Sequence, residues 1–294
     1  MYLVIYNNPK DNVVTLMRKK ENNSKCTFLS VQELLNEAEI EDEIKDGCPF
    51  LHWKWNDFEI KNKKDVHLIN RVISLNHDLF SDFHPEDQNY AHEEFSAYLM
   101  FALEAFPSKL GAPGAYGLAG DLFPLPHQWQ LIEENLNIAT PQFYIGPVQF
   151  FNNHSQKIKK PILAQSLYDY YRWHPKMDLH SHLVKEEENK MVFIYERPEG
   201  EPYVSFVSDQ NVSLWSVQEK KKALSHTIEM ELSALSLKIS QILKLPLAEI
   251  LFFVEGSHIT FGMASNIMMS LHKYPKAHDV IFDGILGYFR KEKL

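Results

Sequence analysis

Cysteine is scarce: the 294-residue chain carries two, Cys26 and Cys48. One possible pair is too few for a disulfide-stapled scaffold, so the chain reads as a reduced, cytoplasmic protein. Long hydrophobic runs are missing as well. Nothing approaches the ~20 apolar residues that a membrane helix needs. The opening Met1-Tyr2-Leu3-Val4-Ile5-Tyr6 has no basic stretch ahead of it, so it reads as a first buried strand and not as a signal peptide. Positive charge is in deficit. A formal charge of −9 argues against nucleic acid or an anionic membrane as a general partner.

Glycine is also sparse where phosphate chemistry would want it. None lies between Gly146 and Gly200. Neither Gly-x-x-x-x-Gly-Lys-Ser/Thr nor Gly-x-Gly-x-x-Gly occurs, and Gly-x-Ser-x-Gly is absent too. Gly111, Gly114, Gly117 and Gly120 are spaced by three, with bulky residues and proline between them. A phosphate cradle needs successive free amides at a helix start; this pattern predicts a domain boundary or a structured loop. Asp178-Leu-His180-Ser-His182 would place two histidines on one strand face, where they could share a divalent ion. The motif resembles the first strand of metal-dependent amidohydrolases, which opens an eight-stranded barrel of roughly 250 residues. Only 112 residues follow His182 (294 − 182), without regular strand–helix alternation. The expected reading is a surface strand or turn without bound zinc.

What is present is patterned. Ser30-Val-Gln-Glu33 fits a capping box that opens a helix. Trp53 and Trp55 share one side of an alternating, half-buried strand over Phe50–Phe58. Val13 to Met17 suits a strand or a helix start. Helices are expected from Pro85 or Glu86 to Phe106 and over His127–Asn135. Met191–Tyr195 and Tyr203–Val207 read as strands around the turn at Arg197-Pro198-Glu199-Gly200. The last seventy residues hold a long helix, Ser225–Leu245. A Pro-led apolar strand, a Glu-Gly turn and a second strand follow it.

Four blocks in order resemble the ATP-grasp ligases, in particular the ribosomal-protein glutamate ligase and the ligases that macrocyclise ribosomal peptides. They are Leu68-Ile69-Asn70-Arg71 with the helix containing Glu93-Glu94-Phe95; Gln128-Trp129-Gln130-Leu131-Ile132-Glu133 with Asn137-Ile138-Ala139-Thr140-Pro141; the strand pair at Arg197–Gly200, similar to a hairpin near the nucleotide; and the C-terminal strand–turn–strand closed by Asp279 to Leu286. The resemblance covers almost the whole chain. It implies an α/β (α+β) fold: an N-terminal α/β domain over 1–125 and antiparallel ATP-grasp subdomains over 126–294. It also implies ATP-dependent carboxylate–amine ligation on a peptide or small protein, with ATP and magnesium as cofactors. On that pattern Lys160 would contact phosphate, Arg197 would steady developing charge, and Glu249 and Asn266 would hold magnesium. The sequence departs from the pattern on the terminal strand. Aligned on Phe261, Gly262 and Ala264 stand where the family has Glu and Asn. Asn266 comes two residues later, on the same strand face. The second reading is therefore an ATP-grasp-like protein that binds a peptide, partner or nucleotide without forming a bond.

Overall fold

The computed structural model describes residues 1–20, 26–115, 117–147, 162–165, 191–218 and 224–291. Strand β1 (Tyr2–Tyr6) leads into helix α1 (Asn12–Lys19), β2 (Cys26–Ser30) and α2 (Val31–Asn36). Short strands β3 (Glu39–Ile40), β4 (Glu43–Lys45), β5 (Cys48–Phe50), β6 (His52–Trp55) and β7 (Phe58–Lys61) precede β8 (His67–Arg71). Helix α3 (Gln88–Glu104) and β9 (Ser108–Leu110) follow. The strands β2-β1-β8-β9 form one sheet, and its ladders are all parallel. β3-β6-β7 and β4-β5 make small antiparallel additions.

Local chemistry explains these elements. Val13–Met17 is helical because the Asp11 carboxylate caps the turn, accepting from the Val13 and Val14 amides. The buried Val13, Val14, Leu16 and Met17 then line one face. The capping box at Ser30 and Glu33 is formed on both sides. Trp53 and Trp55 are both buried, as the alternation requires, but the strand expected over Phe50–Phe58 is confined to His52–Trp55: the chain turns at Asn56, φ +48°, and Phe58 starts the antiparallel partner β7. Asn70 holds the glycine-rich loop in order: its Nδ2 donates to Gly111 O at 2.7 Å and Leu118 O at 2.6 Å. Gly111 sits at φ +81°, and a Cβ there would lie 2.8 Å from Asn70 O, so only glycine suits the position.

The second half begins with α4 (Leu125–Leu136), which closes on Asn137 in the left-handed conformation. The antiparallel sheet β10-β12-β11 comes from β10 (Phe143–Pro147), β11 (Ile162–Gln165) and β12 (Met191–Glu196). Then come β13 (Glu201–Ser208), β14 (Asn211–Ser216), α5 (His226–Ile242), β15 (Leu247–Glu255), β16 (His258–Ser265) and α6 (Ala277–Lys291). Their strands form the antiparallel sheet β14-β13-β15-β16. The expected hairpin at Arg197–Gly200 does not form. β12 pairs with β10 and β11, whereas β13 pairs with β14 and β15. The four residues instead carry the chain from one sheet to the next, with Gly200 at φ +95°.

The C-terminal sheet is covered on both faces. Leu232 and Ile239 of α5 and Trp129 and Ile132 of α4 share a core with Ile250, Phe252 and Phe261. Ile281, Ile285 and Phe289 of α6 pack with Phe206 and Leu247, and this core continues into Val4, Ile69 and α1. The N-terminal and C-terminal sheets thus share apolar packing through α1 and α6. No described helix is long and apolar enough to cross a membrane.

Candidate functional site

The ends of β8 and β16 meet through consecutive residues of the Asn-Arg block. Arg71 is buried against Asp11, Nη2 to Oδ2 at 2.7 Å and Nε to Oδ1 at 3.2 Å. Its Nη1 donates to the Asn266 carbonyl at 2.8 Å. Asn12 Nδ2 donates to the Met268 carbonyl at 2.8 Å and the Met269 carbonyl at 3.0 Å. Asn70 therefore secures the glycine loop, while Arg71 secures the segment after β16.

Asn266 is 4% exposed. Its Nδ2 donates to Ala119 O at 2.6 Å, and its Oδ1 has no hydrogen-bond partner. It lines a cavity of about 350 Å³ together with Asn70, Arg71, Gly120, Asp121 and Lys244. Leu110, Pro113, Leu245 and Pro246 give the same cavity apolar walls.

Glu249 is arranged differently. It lies opposite Phe206 on β13 and Ser265 on β16, so it shares their sheet face, which packs on α6. Its Oε1 accepts from Ser270 Oγ at 2.6 Å and its Oε2 from the Ser270 amide at 2.9 Å. Burial pushes its carboxyl above the ordinary carboxylate range, although the Ser270 bonds and the charges of Lys273 and His272 work the other way. The same negative charge, after burial, helps to raise the Tyr274 phenol.

The outer edge of β16 is closed by α4. Gln128 Nε2 donates to Ala264 O at 3.0 Å, and its Oε1 accepts from the Ala264 amide at 2.8 Å. Trp129 Nε1 donates to Gly262 O at 2.7 Å. The Phe261 amide donates to Ala139 O at 2.9 Å. Side-chain amide, indole and loop carbonyl thus replace a neighbouring strand. A Cβ on Gly262 would lie 3.0 Å from Phe253 Cε2 and 3.1 Å from Leu251 O.

Of the residues singled out in the sequence, Asn266 reaches a cavity and Glu249 is held by Ser270. Arg197 is exposed in the crossing from β12 to β13 and does not line the cavity of Asn266. Lys160, Asp178, His180 and His182 lie outside the described residues. Among the described residues, no group of three or more His, Cys, Asp or Glu side chains is placed to hold a metal ion. Sequence reasoning missed the roles of Asp11, Gln128 and Ser270. Gln128 had a usable signal. It falls three residues after Leu125 and four before Ile132, inside the apolar stripe of α4, where an uncharged amide must find buried partners.

No protein-family model matches the chain, and no curated protein does. Solved structures do. The macrocyclase MdnC of Microcystis aeruginosa MRC, bound with precursor peptide MdnA, is 12% identical; the match covers 98% of this chain and 99% of that one at a TM-score of 0.69. A Chryseobacterium gregarium RiPP-associated ATP-grasp ligase, in complex with ADP and a leader and core peptide, is 11% identical over 97% of this chain and 96% of that one, with a TM-score of 0.69. A RimK domain ATP-grasp protein of Sphaerobacter thermophilus is 10% identical over 97% of this chain and 100% of that one, with a TM-score of 0.59. Full-length coverage and shared sheet architecture, at identities too low to carry more, place this chain within the ATP-grasp fold.

Proposed function

We propose that this chain is a ligase-like protein that binds a peptide or small-protein segment on an ATP-grasp scaffold, with bond formation driven by ATP weak or lost. The carrying observation is Glu249. Both its oxygens already accept hydrogen bonds from Ser270, and burial favours its neutral form. A glutamate holds magnesium as an ionised carboxylate, the form that burial opposes here, and an ion would have to share both oxygens with Ser270. Gly262 and Ala264 bring no donor side chain. Together these residues do not fit a pair of magnesium ions on a triphosphate. The peptide half of the reading is supported by neighbours whose structures contain precursor peptides. It is also supported by a cavity with apolar walls and the polar residues Asn70, Asp121 and Asn266 in its lining.

The competing reading is an active ATP-dependent carboxylate–amine ligase. Asn266 favours it, because its unpartnered Oδ1 is a competent magnesium donor. Thermal unfolding with and without millimolar Mg-ATP separates the two, because a ligand of the folded state raises the midpoint. The binding-protein reading expects no shift, and expects enrichment of particular sequences from a displayed peptide library. A clear Mg-ATP shift that Asn266→Ala removes, with peptide-stimulated turnover near 1 per second, would establish the ligase instead.

A further inference from the structure

Helix α3 carries apolar residues on both sides. Leu99, Ala102 and Leu103 are buried, yet Tyr90 is 66% exposed and Phe101 41%. Its N-cap Asp87 and its residues Tyr90, Ala91, Glu94, Phe95 and Tyr98 follow helical spacing and line one groove of about 640 Å³ with Phe80 and Phe83. The floor and rim are a run of rings. Phe83 to Phe80 is 6.2 Å between centroids, Phe80 to Phe95 6.0 Å, and Phe95 to Tyr98 6.0 Å. Phe83 is 45% exposed at the open side. A helix with an open aromatic face points to a partner that covers it.

The two carboxylates decide the partner's chemistry. Asp87 occupies the N-cap position of α3 but makes no side-chain capping bond. Neither Asp87 nor Glu94 has an ion-pair partner among the described residues. Two exposed carboxylates without ion-pair partners, about two turns apart on the same face and beside exposed rings, match a cation held by both carboxylate and π contact. We propose that this groove docks a basic amphipathic peptide segment, apolar side chains against Phe80, Phe83 and Tyr90, and Lys or Arg between Asp87 and Glu94. None of the groove's residues lines the cavity of Asn266. The proposal therefore stands whether or not that cavity takes a peptide.

The test uses the full-length chain and two fluorescent helical peptides of equal length. One is built from Leu at helical spacing with Lys elsewhere; its twin has Glu for Lys. Fluorescence anisotropy should show binding of the Lys peptide and none of the Glu peptide. Asp87→Asn with Glu94→Gln should weaken binding about tenfold, and Tyr90→Ala about fivefold. Glu231→Gln with Glu255→Gln removes equal charge at exposed sites elsewhere and should leave affinity unchanged. Four results overturn the proposal: no binding of the Lys peptide, equal binding of its Glu twin, no loss in the Asp87/Glu94 variant, or an equal loss in the Glu231/Glu255 variant. The last would mean attraction to the bulk charge of −9 and not to the groove.

Discussion

Arg71 and Asp11 form a two-pronged ion pair across 60 residues of sequence, with Nη2 2.7 Å from Oδ2. Their side chains are 2% and 5% exposed. Asp11 also caps α1 through the Val13 and Val14 amides, and Arg71 reaches the carbonyls of Asn266 and Ile267. The pair therefore joins the first helix, the last parallel-paired residue of β8 and the segment beyond β16. Arg71→Met strands a buried carboxylate and should cost about 3–5 kcal/mol, read as a lower urea midpoint with an unchanged slope. Arg71→Lys should recover only part of it, since an ammonium cannot reproduce the fork. Wild-type stability in Arg71→Met would remove the clamp from this account.

The Glu249 carboxyl gives a pH signature of definite sign. Its folded-state pKa lies above the unfolded value. The folded chain then binds the extra proton, so this group's stabilising contribution is full below the ordinary carboxylate pKa. The contribution is lost as pH rises through the raised folded value. Glu249→Gln keeps the shape, can accept from the Ser270 amide and can donate to Ser270 Oγ. It should flatten the fall in stability from acidic pH to neutrality and leave neutral-pH stability equal or higher. Glu249→Ala strands the Ser270 amide and should cost about 1–3 kcal/mol. Urea midpoints at several pH values check both; an unchanged pH profile in Glu249→Gln would contradict the assignment.

Much of the scaffold was legible because its signals are local. The capping box at Ser30, the Trp53/Trp55 alternation, the helix opened by Ser225 and the two terminal strands each follow from a short-range rule. The Arg197–Gly200 crossing misled, since a hairpin and a sheet-to-sheet crossing need the same turn residues. Only long-range pairing tells them apart. The site was less legible for a related reason. Residue types at Glu249 and Asn266 were visible, but Ser270 bonding to one and Arg71 bonding to the other's backbone arise from tertiary contact. Gln128 was the exception, since its place in an apolar stripe already asked for buried partners.

That glutamine carries the third expectation. Gln128 Nε2 and Oε1 engage the carbonyl and amide of Ala264, and Nε2 also donates to Phe123 O at 2.7 Å. Gln128→Leu preserves bulk but leaves those groups of β16 without partners. The expected cost is about 1–3 kcal/mol. The sharper readout is hydrogen exchange: the Ala264 amide should lose protection while the Val204 and Ile250 amides, inside the sheet, keep theirs. Uniform loss across the sheet would point to general destabilisation and not to a local edge cap.

The same edge decides whether the family's pattern can be restored. Gly262→Glu with Ala264→Asn writes the missing Glu-x-Asn into β16. In an intact ligase site those side chains would gain a metal. Here Gly262 has Phe253 and Leu251 within 3.0–3.3 Å of a new Cβ, and overpacking of this kind costs about 1–3 kcal/mol. Ala264 is buried in the core shared by α4 and α5, where an Asn amide would meet apolar neighbours and cost a similar amount. Gly262→Ala alone should already lower the melting midpoint, because the clash begins at Cβ. The double variant should be less stable than wild type and should show no Mg-ATP-dependent gain. The opposite outcome, a stable double variant whose midpoint rises with Mg-ATP, would mean that β16 can accept ligand side chains and that two substitutions alone separate this chain from nucleotide binding.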